Sequence, residues 1–276
     1  MTDWERESTF EVLERRGWGE RDVAEAYARR FASASDAVAP VLARRAGAEP
    51  GAVILDLCSG HGNVAAASRA LGATVTGLDF SPAFLAIARE RHPGVEFVEG
   101  DAMALPFGDR SADGVTVGFG VPHVPDPARL LAEARRVLRP GGRLAYSVWE
   151  GATDGGALQL FFEALAAEGD PDVTLPPGPG PFDYGRAEVA EPALAAAGFA
   201  DAGMERVASA FLVGRAGDIV PTMRDGTGRM GVLMKRQPPE RRLAIEAAMV
   251  REARARWGDG PCEIPVPSAV WSAVAV

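Results

Sequence analysis

Three aspartates set the chemistry available to this chain. Asp56, Asp79 and Asp101 each close a short apolar run, in VILD, VTGLD and FVEGD, and they lie about 20 residues apart. If those runs are neighbouring strands, the acids converge at one end of a sheet and favour a ligand that carries positive charge, hydroxyls or amino groups. Directly after Asp56 come Cys58, Ser59, Gly60, His61 and Gly62, a turn whose glycines let a ligand and the next helix approach the backbone. Gly60, Gly62 and Ala65 also fit the dinucleotide fingerprint, with Asp79 as its ribose-binding acid, so a nicotinamide oxidoreductase is one reading. A dinucleotide, however, rests its pyrophosphate on the helix N-terminus, and an acid just before the glycines repels that charge.

The chain has three histidines. His61 sits in the glycine turn, where packing or capping explains it. His92 ends a helix and is expected to face solvent. His123 follows the fourth strand on the rim of the site, where an imidazole can take a proton from an acceptor hydroxyl or amine; holding its own loop together is the plainer role. Cys58 reads as a small packing residue, since nothing near it in sequence would lower a thiol pKa. Cys58 and Cys262 follow no metal-ligand spacing, and one pair in 276 residues is no disulfide scaffold.

The elements that must position these residues alternate. AVILDL over 52–57 is a β-branched strand introduced by Pro50-Gly51, the alanine-rich stretch 63–71 is a helix closed by Gly72, and TVTGL over 74–78 is a second strand. Ser81 followed by Pro82 starts a helix running to about Arg91. Strands at 95–99 and 114–118, a helix capped by Asp126-Pro127, and a strand at 144–149 complete the pattern. Such alternation describes an α/β fold: a doubly wound, mostly parallel, seven-stranded Rossmann-like sheet with helices on both faces.

Three regions follow from this reading: a helical prelude or lid over 1–50, with Val23, Tyr27 and Phe31 as a stripe; an α/β core over 51–150; and the rest of the sheet over 151–276, with Met204–Val213 and Ser268–Val276 as its last two strands. Two insertions interrupt that last region. One spans about 150–185 and holds a helix near 158–167 and the irregular LPPGPGPFDYG; the other, about 216–257, is largely helical. Both are read as a substrate cover.

A formal net charge of −9 argues against nucleic acid as the main partner. The charged opening MTDWERESTF lacks a signal-peptide core, and no run of about 18 apolar residues is present, so the expectation is an unanchored cytoplasmic protein.

VILDLCSGHG, GLDFSP, EFVEGDAMALPF, VTVGFGVPHVPDP and RVLRPGGRL, in that order and spacing over about residues 20–150, resemble the class I S-adenosylmethionine-dependent methyltransferases. The likeness is greatest to the branch holding the ubiquinone and menaquinone C-methyltransferases and many natural-product methyltransferases. The resemblance implies that S-adenosylmethionine binds here and leaves as S-adenosylhomocysteine. It further implies that Asp56, Cys58, Ser59, Gly60 and Gly62 border the methionine part, Asp79 the ribose, Phe80 one adenine face, Asp101 and Ala102 the adenine edge, and Phe119 the sulfonium side. The family's usual turn has a glycine where this chain has Cys58, which is expected to sit there in an extended conformation.

The acceptor is expected to be a hydrophobic or aromatic small molecule methylated on O, N or C, in a pocket drawing on Tyr27, His123, Phe161, Phe182 and Met223. Ordinary core packing is the alternative for these apolar residues. The third functional reading is a fold relative that binds the cofactor without methylating, such as a cyclase or a binding protein.

Overall fold

A computed structural model describes residues 9–151 and 155–276. Residues 1–8, which carry most of the charged opening stretch, and 152–154, within the irregular 150–185 segment, lie outside the described residues. The elements in chain order are α1 (Phe10–Gly19), α2 (Arg21–Arg30), α3 (Ala32–Arg45), β1 (Val53–Leu57), α4 (Asn63–Ala70), β2 (Thr74–Asp79), α5 (Pro82–Arg91) and β3 (Glu96–Glu99). Then come β4 (Ala112–Gly118), α6 (Pro127–Val137), β5 (Leu138–Trp149), α7 (Ala157–Glu168), α8 (Ala187–Ala196), β6 (Phe199–Val207) and β7 (Ala210–Val213). The last are α9 (Ile219–Asp225), α10 (Arg229–Arg236), α11 (Pro239–Trp257), β8 (Cys262–Pro265) and β9 (Ser268–Ala275).

The chain divides into two units. The sheet unit takes Ser35–Trp149, Pro179–Val207 and Ser268–Val276. Its seven strands are ordered β3-β2-β1-β4-β5-β9-β6; β3 to β5 run parallel, and β9 is antiparallel to both β5 and β6. The expected α/β class and doubly wound sheet are therefore borne out. The order reverses between β1 and β4, and in such sheets the crevice beyond the carboxyl ends of the strands at that switch is where ligands bind.

Local chemistry accounts for these elements. The Ser81 hydroxyl accepts from Phe84 N at 3.3 Å, with Pro82 as the first helical residue, and the Asp126 carboxylate accepts from Arg129 N at 3.0 Å ahead of Pro127. Side chains alternate across β1: Leu55 and Leu57 join the core beneath α6, with Leu130, Leu131 and Ala134, whereas Ile54 joins Ala65, Leu85 and Phe97 beneath α4 and α5. Asp56 shares the Ile54 face and is thereby aimed at α4.

The second unit takes Met1–Ala34, Glu150–Gly178 and Ala208–Pro267, in which helices accompany the two-stranded β7-β8 sheet. Its interior holds a buried ion pair, Glu14 with Arg229. Trp18 Nε1 donates to the same carboxylate at 2.8 Å, and the Arg229 guanidinium lies 4.4 Å from the Phe10 ring centre.

Three expectations need correction. The single strand over 204–213 is two: β6 pairs with β9 and β7 pairs with β8. Ser209 imposes the break, its hydroxyl donating to Val266 O at 2.6 Å while Val266 N donates to Ser209 O at 2.8 Å, which seats Phe211 opposite Ile264. Helix α6 ends at Val137, because Leu138 is already extended and pairs with Ala112, and β5 therefore starts six residues before the expected 144. His92, expected in solvent, is half-buried beside the glycine turn.

Gly114 tests the packing of the sheet, since a methyl group there would collide with the Ala46 carbonyl and Ile54 Cδ1, whereas one at Gly108 meets nothing. Gly114→Ala should lower unfolding stability by about 1–3 kcal/mol in denaturant titration, with Gly108→Ala near wild type. Equal stability of the two variants would contradict this packing.

Candidate functional site

At the strand ends of the sheet unit, β1 delivers Asp56 between Gly77 of β2 and Thr116 of β4 in register. The glycine leaves room and the threonine supplies a partner. Asp56 is fully buried; Oδ1 accepts from Thr116 Oγ1 at 2.7 Å and Oδ2 accepts from Ala65 N at 3.1 Å. Ala65 lies in the first turn of α4, so the carboxylate itself occupies a backbone donor that a phosphate would need there. Asp79, also buried, closes β2: its Oδ2 accepts from Gly60 N at 2.8 Å and its Oδ1 from Ser81 N at 2.9 Å.

Burial decides how both acids titrate. It pushes Asp56 up to about 7 against the opposing hydrogen bonds from Thr116 and Ala65, with the nearby Asp79 charge adding a smaller upward push. Asp79 is pushed up to about 6, again by burial, against backbone donation from Ser81, Gly60 and Phe80. Two carboxylates thus share a dry corner with hydrogen-bond donors but no cationic side chain among the causes of their shifts. Such a corner favours a ligand of positive charge over one of negative charge.

The turn between β1 and α4 has an unusual backbone. Gly60 and Gly62 have φ of 52° and 85°, and Cys58 has φ of 53°. Cys58 is therefore left-handed rather than extended, the correction that most affects this site. The family's glycine suits that backbone without cost, whereas a side chain there costs about 1–3 kcal/mol. Gly120 provides the space, since a Cβ at 120 would stand 2.7 Å from the Cys58 sulfur. Burial, then the charges of Asp79, Asp56 and Asp101, hold the Cys58 thiol far above its ordinary range, which keeps it protonated and poorly nucleophilic.

The remaining predicted cofactor residues fall as follows. Ser59 N donates to Leu78 O at 3.0 Å, and its hydroxyl lies over the Gly77 position in β2. Phe80 and Asp101 are partly exposed, and Ala102 is buried. Asp101 Oδ1 accepts from Met103 N at 2.8 Å, which fixes the loop after β3. Phe119 is also left-handed, with φ of 60°; its ring is buried beneath α3 with Val38 and Leu42, and it stacks on Trp149 at 3.8 Å between centroids.

Each predicted acceptor residue is placed within its own unit. His123 ends a 3-10 turn (Val121–His123) after β4, and Phe182 immediately precedes another (Asp183–Gly185); both residues are partly exposed in the sheet unit. In the helical unit, Tyr27 stacks on Phe31 at 4.8 Å and meets Trp18 edge-on at 5.4 Å. Phe161 and Met223 are completely enclosed there, so the acceptor-facing role anticipated for these two gives way to core packing. Sequence reasoning missed Thr116, although a lone polar residue inside the apolar run GVTVG was a signal for it. Among the described residues no group of His, Cys, Asp and Glu could hold a metal ion, and no helix is long and apolar enough to cross a membrane.

Comparison with known proteins agrees with this geometry. Residues 55–146 match the family model described as a methyltransferase domain. A demethylmenaquinone methyltransferase from Renibacterium salmoninarum is 40% identical over 119 residues, which is 43% of this chain and 50% of that protein; the chain thus spans half the length of this curated relative. Among solved structures, Haemonchus contortus phosphoethanolamine N-methyltransferase 2, in complex with phosphomonomethylethanolamine and S-adenosylhomocysteine, aligns with a TM-score of 0.58 at 19% identity, covering 97% of this chain and 60% of that one. The cyclase SpnF aligns with a TM-score of 0.53 at 22% identity, covering 87% and 82%. These two structures share the fold.

Because Asp56 and Asp79 keep their protons to about 7 and 6 when folded but only to about 3.8 when unfolded, the ligand-free protein binds more protons than its unfolded chain between those values. Their contribution to stability therefore falls as pH rises from 4 to 7. Asp56→Asn, whose amide can still accept from Ala65 and donate to Thr116, should melt above wild type at pH 8 and lose that advantage by pH 5. A difference in melting temperature that ignores pH would refute the burial argument.

Proposed function

We propose, from the match of residues 55–146 to a methyltransferase domain, that this chain uses S-adenosylmethionine to methylate O, N or an activated C of a hydrophobic or aromatic small molecule. The observation that carries the reading is the pair of buried carboxylates at the β1 and β2 ends, one of them already seated on an α4 amide. A phosphate-bearing dinucleotide finds that donor taken and two acids beside it. A cationic sulfur nucleoside finds its counter-charge.

The residues present fit that cofactor. Asp79, whose carboxylate accepts from the backbone of Gly60, Ser81 and Phe80, keeps acceptor capacity for a ribose hydroxyl, while Phe80 offers a ring face and Asp101 an acceptor for an adenine amino group. The left-handed turn at Cys58, Gly60 and Gly62 presents backbone rather than side chain to the methionine part. Bound there, the cofactor supplies an already electrophilic methyl group, so the chain's tasks are to orient, desolvate and manage one proton. The methyl group would pass from sulfur to an acceptor lone pair or an enolate-type carbon, leaving S-adenosylhomocysteine, and His123 or water would take the acceptor's proton.

The demethylmenaquinone methyltransferase relative supports a quinone-type acceptor, and a natural-product acceptor shares the same apolar, hydroxylated chemistry. Phe182 is the aromatic residue of the sheet unit that we assign to acceptor contact. Two free cysteines and a charge of −9 suit a cytoplasmic protein acting on small molecules rather than nucleic acid. The fold likeness to a cyclase favours a second reading, in which the cofactor is bound and never consumed.

Incubation with methyl-labelled S-adenosylmethionine and a panel of quinols, phenols and amines should yield labelled product and S-adenosylhomocysteine; cofactor binding without turnover on every acceptor would favour the second reading. Asp79→Ala should weaken cofactor binding by about 1.5–3 kcal/mol by calorimetry, the cost of losing charged hydrogen bonds; unchanged affinity would remove Asp79 from the site. His123→Ala should reduce kcat with cofactor affinity intact, and an unaltered rate would leave His123 a loop residue.

A further inference from the structure

The glycine turn is gripped from outside the cofactor crevice. Asn63, the first residue of α4, donates from Nδ2 to Asp36 Oδ1 at 3.0 Å and to Ser35 Oγ at 3.3 Å, both on α3. Its own Oδ1 accepts from Val64 N at 3.0 Å, so the amide faces α3 with a fixed orientation. The buried imidazole of His61 brings Nε2 to 3.7 Å from the same Asp36 oxygen. On the opposite side Gly62 is crowded by the His92 ring, just past the end of α5, and by Phe97 of β3, which stand 2.9 and 2.7 Å from where its Cβ would be. Residues 60–63 are therefore clamped between α3 and α5.

This clamp has a mechanical reason. Gly60 and Gly62 have no side chains to pack and explore φ space freely, so the positive-φ geometry that presents the Gly60 amide to Asp79 must be imposed by neighbours. His61 and Asn63 flank Gly62; Asn63 hydrogen-bonds Asp36, and His61 Nε2 approaches the same oxygen at 3.7 Å, an electrostatic approach longer than a hydrogen bond. Asp36 itself keeps half its side chain in solvent, and Arg91 adds a longer-range attraction. Its energetic contribution is thus that of a screened surface contact and its value is geometric.

We propose that Asp36 is a positioning residue for the cofactor turn, holding His61 and Asn63 so that Gly60 and Gly62 keep the backbone that the cofactor requires. The inference rests on the reading of this turn as cofactor-binding. It assigns to α3 a part in cofactor affinity, exerted through the turn rather than through contact with the cofactor. Asp36 acts as an acceptor, so an asparagine oxygen can replace it.

The experiment compares wild type, Asp36→Ala and Asp36→Asn by amide hydrogen exchange of the ligand-free protein and by S-adenosylhomocysteine titration. In Asp36→Ala, exchange over residues 57–66 should quicken about tenfold while β4 and β5 stay protected, as for loss of one or two part-exposed hydrogen bonds. Its S-adenosylhomocysteine Kd should rise by a similar factor, with kcat at saturating cofactor unchanged. Asp36→Asn should restore both. Unchanged exchange over 57–66, acceleration spread evenly through the sheet, or an Asp36→Asn as impaired as Asp36→Ala would each overturn the proposal. Failure of wild type to bind S-adenosylhomocysteine would count against the proposed function instead, and the exchange comparison would still decide the role of Asp36.

Discussion

Burying a carboxylate on hydrogen-bond donors, with no cationic partner recorded among the described residues, is the constraint around which the sheet unit is arranged. Asp56 is held at the centre of the sheet by Gly77 on one flank and Thr116 on the other, with the first turn of α4 overhead. Those donors make its burial tolerable but do not neutralise it. Asp79, a strand away, is in the same condition. A site that stores uncompensated acidity in a dry place is poor at holding phosphate and well matched to a cationic ligand, and it distinguishes two cofactor chemistries that share one fold.

The second constraint is backbone shape. Two non-glycine residues, Cys58 and Phe119, are left-handed at the tips of the adjacent strands β1 and β4. Strained backbone of this kind persists where the surroundings over-determine it. Here the surroundings are visible: Gly120 yields space to the Cys58 sulfur, Ser147 supports the Phe119 amide from its hydroxyl at 3.1 Å, and Trp149 stacks on the Phe119 ring. The turn is thus a rigid cradle made largely of main chain, which suits a cofactor recognised along its whole length.

Much of this was legible in the sequence because it depends on short-range chemistry. Ser81-Pro82 and Asp126-Pro127 announce helix starts that the structure bears out, and VILD and VTGLD mark strands with an acid at each end. What escaped depends on partners remote in the chain. Nothing local reveals that Thr116 faces Asp56, that Asn63 reaches Asp36, or that Ser209 diverts the chain to pair β7 with β8. The enclosure of Phe161 and Met223 was equally hidden, because an apolar helix stripe looks alike whether it faces a core or a ligand. Cys58 misled for a different reason: residue type argued for an extended backbone, and tertiary packing imposed the left-handed one.

The central claim, that these buried acids await a cation, has a direct measurement. Calorimetric titration of S-adenosylmethionine at pH 6.5, in buffers of different ionisation enthalpy, counts the protons exchanged on binding. A cation that favours ionised Asp56 and Asp79 must release protons there, and fewer should be released with S-adenosylhomocysteine, whose sulfur is neutral. Binding of S-adenosylmethionine with no proton release, or tight binding of a nicotinamide dinucleotide in its place, would contradict the account.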